Sequence, residues 1–132
     1  MRTSDSDKQT HVLGEILLRP LLRFECKQPL GKIGWMSAVL GITEDVEAYL
    51  ADPELKLMIV EEPLFEVEAQ SITNFQIAKK KRPDVAFIVS LSTGEEEGYA
   101  KFRAAGADHV VCVHERDFVA HLAQLVDSYF SN

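Results

Sequence analysis

The chain has 132 residues, of which 46% are hydrophobic, and its 21 acidic and 14 basic side chains give a formal net charge of −7. A chain of this length can bury a core without a disulfide or metal staple, and its acidic balance argues against nucleic acid as the main partner, because phosphate binding needs a concentrated positive surface. The two cysteines, the polar amino terminus and the lack of a long apolar run predict a cytoplasmic protein without a disulfide framework, a secretory signal or a membrane span.

The predicted elements form a single domain over residues 11–132, preceded by a polar, disordered tail at 1–10. Within it, short apolar runs alternate with amphipathic stretches. We predict strands at 12–18, 35–40, 55–60, 85–91 and 109–113, and helices at 20–32, 43–51, 65–81, 93–105 and 117–130. Because crossovers between parallel strands are right-handed, this alternation predicts an open α/β sheet.

The last three predicted strands carry the clearest patterns. Each is nearly continuously apolar, which is typical of strands buried on both faces of a parallel sheet. Pro63 ends the first of them, since proline has no N–H to donate to a neighbouring strand. We expect seven side chains of these runs to be buried: Ile59, Val60, Phe87, Ile88, Val89, Val111 and Val113.

Local signals mark the ends of the helices. Thr43 and Thr93 stand at predicted amino termini, and Thr93 forms a capping box with Glu96. Gly106 suits the left-handed conformation that ends many helices. Trp35 is predicted to lie in the core or at an interface, because no aromatic residue neighbours it in the sequence.

Two segments, 82–90 and 99–111, follow a familiar order: a strand, a helix, and the Gly106-Ala107 turn into a further strand. Together with the spacing of the earlier elements, they resemble the receiver domain of bacterial response regulators in two-component signal transduction. The resemblance implies a five-stranded parallel sheet in the order 2-1-3-4-5 with helices on both faces, a flavodoxin-like three-layer sandwich.

The resemblance also indicates where a phosphorylation site would lie. Receivers hold Mg²⁺ with an acidic pair after the first strand, accept the phosphoryl group on an Asp, and add a Ser or Thr and a Lys from the last two strands. In this sequence these positions are taken, in that order, by Leu17 and Leu18, Glu61 (or Glu62), Ser90 and Val113. Leucine offers no oxygen to a hard cation. We therefore predict a pseudo-receiver that is not phosphorylated, is not an enzyme, and has no catalytic residues, metal site or cofactor.

The predicted function is that of a non-catalytic signalling module that binds protein. The family commonly presents its fourth helix, fifth strand and fifth helix to a partner or a second copy. The corresponding helices here are 95–105 and 117–130, and we expect no binding to nucleic acid or membranes. The candidate contact residues on this face are Tyr99, Lys101, Phe102, Arg103 and His121. Phe102 is alternatively a core residue, since the helix must pack an apolar stripe of its own.

Some patterns leave alternatives open. Residues 106–111 also resemble the nucleotide-binding regulatory domains of potassium-transport systems, whose glycine fingerprint after the first strand is absent here. Glu61 is either a mimic of a phosphorylated Asp or a solvated carboxylate. The basic run 79–82 forms either a binding patch or the favourable positive end of a helix.

Overall fold

The structure, a computed structural model, describes residues 19–26, 32–63, 66–92 and 94–130. Helices and strands alternate through these ranges. In chain order they are α1 (19–25), β1 (Ile33–Ser37), α2 (Glu44–Ala51), β2 (Leu57–Glu62), α3 (Ala69–Lys81), β3 (Ala86–Leu91), α4 (Glu96–Ala105), β4 (His109–Cys112) and α5 (Phe118–Ser128).

The four strands of the described residues form one parallel sheet in the order β1-β2-β3-β4. Each of α2, α3 and α4 connects two neighbouring strands, and right-handed crossovers place all three helices on the same face. α5 follows the last strand and packs with α1 against the opposite face. The result is a three-layer α/β arrangement.

The strand order corrects our prediction. The order 2-1-3-4-5 needs a strand between the predicted segments 35–40 and 55–60, and we assigned it to 12–18, which lies outside the described residues. Instead β1 bonds directly to β2, with Ile33 opposite Leu57 and Ser37 opposite Glu61. An apolar run predicts a strand, but it carries no information about which strand lies beside it.

The face covered by α2, α3 and α4 holds the larger of two hydrophobic clusters. Phe75 of α3 lies at its centre, with its ring edge-on to Phe87 at 5.5 Å and to Phe102 at 5.6 Å between centroids. All three rings are fully buried. This geometry is favourable for aromatic pairs, and it joins α3 and α4 to the sheet.

The opposite face packs against α1 and α5. Trp35 of β1 is fully buried there, and the guanidinium of Arg19 lies 5.3 Å from the centre of its ring. Leu122 and Val126 of α5 complete this cluster. Because helices cover both faces, the strands are apolar on both sides, as the continuous runs indicated.

The predicted element ends are confirmed in part. The Thr43 hydroxyl accepts a hydrogen bond from Val46 N at 3.3 Å, and Gly106 ends α4 with φ 111°. However, α4 begins at Glu96 without a side-chain cap, and Thr93 lies outside the described residues. Val113 is 39% exposed, contrary to our expectation, because β4 ends one residue before it. The other six side chains expected in the core are buried.

Gly34 provides a stability test of the β1–β2 packing. A Cβ at this position would overlap Met58 Sδ on β2 and lie 3.0 Å from the ring of Tyr49. We expect Gly34→Ala to lower the free energy of unfolding by about 1–3 kcal/mol, the usual cost of overpacking. Urea denaturation measures this loss, with Gly94→Ala as control, since among the described residues a Cβ there meets only Cys112 Sγ, at the ordinary contact distance of 3.8 Å. Equal stability of the two variants would contradict this packing.

Arg82 binds the carboxyl end of α2. The basic run in the sequence did not indicate this structural role. Its guanidinium donates hydrogen bonds to Leu50 O at 2.9 Å and Asp52 O at 2.7 Å, and it pairs with Asp84 at 3.1 Å. Lys79 similarly donates to Val85 O at 3.0 Å. Two side chains of the basic run 79–82 are therefore engaged within the fold.

We expect Arg82→Ala to lower the free energy of unfolding at pH 7 by about 1.5–3 kcal/mol, because charge-assisted hydrogen bonds to helix carbonyls are lost. The hydrogen bond from Arg82 also lowers the pKa of Asp84. A lowered pKa stabilises the fold above the ordinary pKa of the group, and this contribution is lost as pH falls. The difference in the free energy of unfolding between the wild-type protein and Arg82→Ala should therefore become smaller as the pH falls. Urea denaturation at several pH values tests this, with Lys80→Ala as the exposed control; a constant difference contradicts the Asp84 contribution.

Candidate functional site

A row of side chains crosses the carboxyl-terminal edge of the sheet, where the resemblance places the receiver pocket. Ser37 lies opposite Glu61, and Glu61 lies opposite Ser90. Ser90 in turn lies opposite Val111. Ser37 and Ser90 are 3% and 4% exposed, and Glu61 is half-buried. One carboxylate and two hydroxyl groups thus lie at the same register position on three neighbouring strands.

The structure brings together two of the predicted pocket residues. Glu61 and Ser90 face each other across β2 and β3. Val113 follows the end of β4 and is partly exposed to solvent. Leu17 and Leu18 lie outside the described residues. Because β1 borders β2, Ser37 occupies the position beside Glu61, and sequence reasoning missed it for want of the correct strand order.

Glu61 and Glu62 face opposite sides of the sheet, as successive residues of a strand must. Glu61 points to the α1/α5 face, together with Ser90. Glu62 lies opposite Leu91 on the other face and is only 1% exposed. Of the two glutamates we considered for the acceptor position, Glu61 is therefore the one beside the serine.

The loop that follows β1 is held by hydrogen bonds. The side chain of Asn74 donates to Ala38 O at 2.8 Å from α3, and Ser37 Oγ accepts from Leu40 N at 3.3 Å. Gly41 packs against the Asn74 amide with φ 75°, a conformation that favours glycine. These contacts fix the position of Ser37, which lies at one end of the row formed with Glu61 and Ser90.

Two side-chain pairs lie near the end of β4, one within α4 and one between the loop after β4 and α5. The Arg103 guanidinium lies 5.3 Å from the centre of the Tyr99 ring. Burial raises the pKa of Tyr99, and the nearby Cys112 and Glu115 raise it further. Glu115 Oε1 lies 2.8 Å from His121 Nδ1. Glu115 therefore lies near side chains of both helices. The surface near it includes Tyr99, Arg103 and His121, three of the residues predicted for the partner face.

Phe102 does not belong to that surface, which corrects our prediction. It is fully buried and packs edge-on against Phe75. α4 buries one stripe, formed by Gly98 and Phe102 four residues apart, so these positions cannot also face a partner. Lys101 and Arg103, on either side of Phe102, are exposed. Tyr129, 37% exposed and 2.8 Å from His109, is a surface residue that sequence reasoning missed.

Neither cysteine is placed for nucleophilic chemistry. Burial raises the pKa of the Cys26 thiol to about 11, and the carboxylates of Asp127 and Glu25 contribute. Cys112 is 5% exposed, and its sulfur accepts a hydrogen bond from His114 N at 3.4 Å. A thiol reacts as the thiolate, which burial disfavours at Cys26.

The stretch that resembles nucleotide-binding domains contributes to packing. Asp108 Oδ2 accepts hydrogen bonds from Phe87 N at 2.8 Å and from Lys79 Nζ at 3.1 Å.

In the part of the chain that the structure describes, no three His, Cys, Asp or Glu side chains lie close enough to hold a metal ion. The helices there include none long and apolar enough to cross a membrane.

Comparison with known proteins supports the fold assignment. No protein-family profile and no curated protein matches the chain. The crystal structure of an orphan response regulator of H. pylori is similar to it, with a TM-score of 0.53 and 15% sequence identity over 78% of this chain and 100% of that one. At this identity the likeness concerns the fold alone. The chain has a receiver-like α/β fold built on a parallel sheet.

Proposed function

We propose that this protein is a receiver-like regulatory module that acts by binding protein and is not switched by phosphorylation. The observation that carries the proposal is the row at the carboxyl edge of the sheet. Glu61 stands there between Ser37 and Ser90. The resemblance to receivers assigns the lysine position to Val113, which carries no charge.

Phosphoryl transfer to a carboxylate depends on a metal ion, an acceptor and a counter-charge acting together, because the stabilisation is electrostatic and preorganised. The strand beside Glu61 ends in Ser37, a neutral residue. Mg²⁺ demands a near-octahedral shell of oxygen ligands, and Ser37 contributes no carboxylate to such a shell. Glu61 also extends one methylene further than Asp, and small misplacements are costly in a preorganised site.

We expect no phosphoryl adduct after incubation with acetyl phosphate and Mg²⁺. Intact-mass spectrometry tests this directly, because one phosphoryl group adds about 80 Da. Glu61→Asp should stay unmodified as well, since the parts of such a site act as a unit and their effects are not additive. A stoichiometric adduct on the wild-type protein would contradict the proposal. A receiver domain with its full set of site residues serves as the positive control.

The surface around α4 and α5 supports binding to protein. The exposed side chains of α5 and the residue after it carry no carboxylate or lysine: Ala120, His121, Gln124, Ser128 and Tyr129. On a chain of net charge −7, these exposed side chains of α5 bring no carboxylate against a similarly acidic copy or partner, which limits repulsion there. Tyr99 and Tyr129 add aromatic area, which protein interfaces favour.

A further inference from the structure

The outward face of α1 is apolar and exposed. Phe24 is 91% exposed and Leu21 is 50% exposed, and Pro20 is exposed as well. These three positions share one side of the helix, because residues three and four apart are neighbours on its surface. The opposite side is buried through Leu22, which belongs to the same cluster as Trp35. Single exposed apolar side chains are ordinary, whereas a contiguous exposed group is typical of a contact surface.

Two charged side chains of opposite sign flank this apolar face. Arg23 and Glu25 are both exposed, and neither takes part in an ion pair among the residues that the structure describes. Because successive residues of a helix are about 100° apart, Arg23 lies on one flank of Phe24 and Glu25 lies on the other. The outward surface of α1 therefore has a positive side and a negative side around an apolar centre.

α5 continues this surface without adding an exposed charge. The sulfur of Cys26, directly after α1, lies 4.0 Å from Ala123 O, so the two helices are neighbours. Within one turn of Ala123, Ala120 and Gln124 are exposed and uncharged, and Asp127 is half-buried. On a chain of net charge −7, a surface with balanced charges is one that a second copy can approach without a local excess of like charge.

We propose that α1 forms the centre of a symmetric dimer of this chain, in which the Phe24 side chains of two copies pack together. In a two-fold dimer the same patch meets itself. With the two-fold axis along α1, the helices run parallel, and the Arg23 flank of each copy faces the Glu25 flank of the other. An antiparallel pair would bring like charges together. The charge pattern thus selects a second copy as the occupant and a parallel arrangement of the two helices.

This dimer surface goes beyond the proposed function, because it lies on α1 and not at the carboxyl edge or around α4. It is also small. α1 has seven residues, and a standard interface buries about 800 Å² on each partner. We therefore expect a weak dimer, with a Kd in the micromolar range, that dissociates on dilution.

Sedimentation velocity of the full chain over about 5–500 μM protein measures the monomer–dimer equilibrium. We expect Phe24→Ala to weaken dimerisation at least about tenfold, the effect of removing a central aromatic anchor. Arg23→Glu and Glu25→Arg should each weaken it by about tenfold, because like charges then meet on both flanks. Lys80→Glu and Glu54→Arg make the same charge changes at exposed positions of other elements and serve as matched controls.

A mixture of the two charge variants gives the most specific test. The Arg23→Glu surface is acidic on both flanks, and the Glu25→Arg surface is basic on both. An equimolar mixture should therefore form a mixed dimer about as tight as the wild-type dimer, whereas each variant alone is mainly monomeric. An equimolar mixture of Lys80→Glu and Glu54→Arg should associate no differently from either variant alone. Failure of the first mixture to dimerise would contradict the pairing of the two flanks.

Three further outcomes would overturn the proposal. A wild-type chain that stays monomeric over the whole range would assign the patch to a different partner. A dimer that Phe24→Ala leaves unchanged and Tyr99→Ala dissolves would belong to the surface around α4 and α5. A Phe24→Ala monomer that melts well below the wild-type monomer would show that a segment of the same chain covers the ring. None of these results depends on the acetyl phosphate experiment, so failure of this inference is distinguishable from failure of the proposed function.

Discussion

Replacing Phe102 by alanine is expected to lower the free energy of unfolding by about 3–5 kcal/mol, the usual cost of removing a buried phenylalanine. Its ring is fully buried and contacts Phe75 edge-on at 5.6 Å between centroids. The deletion leaves a cavity between α4 and α3 and removes a favourable aromatic pair. Chemical denaturation measures the loss.

Phe24→Ala is the matched control for this prediction, because Phe24 on α1 is 91% exposed. We expect it to change stability by less than about 0.5 kcal/mol. A loss below about 1 kcal/mol for Phe102→Ala would contradict the packing of α4 on the sheet.

Tyr99→Ala should separate partner binding from folding. Tyr99 is half-buried and lies beside Arg103 at the α4–α5 surface. We expect this variant to stay folded and to lose self-association or partner binding, which sedimentation velocity and a pull-down with the wild-type protein as reference would show. Unchanged association by Tyr99→Ala and by His121→Ala would count against this surface.

Trp35→Ala is the second change with a large expected effect, again about 3–5 kcal/mol. Trp35 is fully buried on β1, where it packs with Leu122 and Val126 of α5. Trp35→Phe should cost less, because it keeps most of the buried area. Arg19→Ala removes the guanidinium over the ring together with its hydrogen bond to Ile33 O at 3.5 Å, and we expect it to cost about 1 kcal/mol.

Trp35 is the single tryptophan of the chain, so its fluorescence reports directly on this cluster. The native protein should emit at short wavelength and shift to longer wavelength as urea unfolds it. Native emission typical of a solvent-exposed indole, or a stability loss by Trp35→Ala no greater than that of Arg19→Ala, would contradict the burial.

Much of the secondary structure could be predicted because its signals are local. The apolar run before Pro63, the Thr43 cap and the Gly106 turn each act over a few residues, and the structure contains all three. Helix starts were less predictable. A Thr and Glu three residues apart favour a cap at Thr93, yet the helix begins at Glu96, because local capping energies of about 1 kcal/mol are easily outweighed by tertiary packing.

The candidate site could be predicted in part. The resemblance to receivers indicated Glu61 and Ser90, and the strand register places them opposite each other. Ser37 could not be predicted, because it joins the row only through the pairing of β1 with β2. Phe102 was misplaced on a partner face, since helical periodicity identifies an apolar stripe but not which neighbour covers it.

The sequence by itself determined the α/β class and the strands of the second half, because apolar periodicity and turn residues are properties of short segments. Only the tertiary structure decided that β1 lies beside β2, that Glu61 and not Glu62 faces Ser90, and that Arg82 reaches back to the carbonyls of α2. These contacts join residues about 24 to 32 positions apart. They depend on which surfaces fit together once the chain has collapsed, and no local pattern encodes that choice.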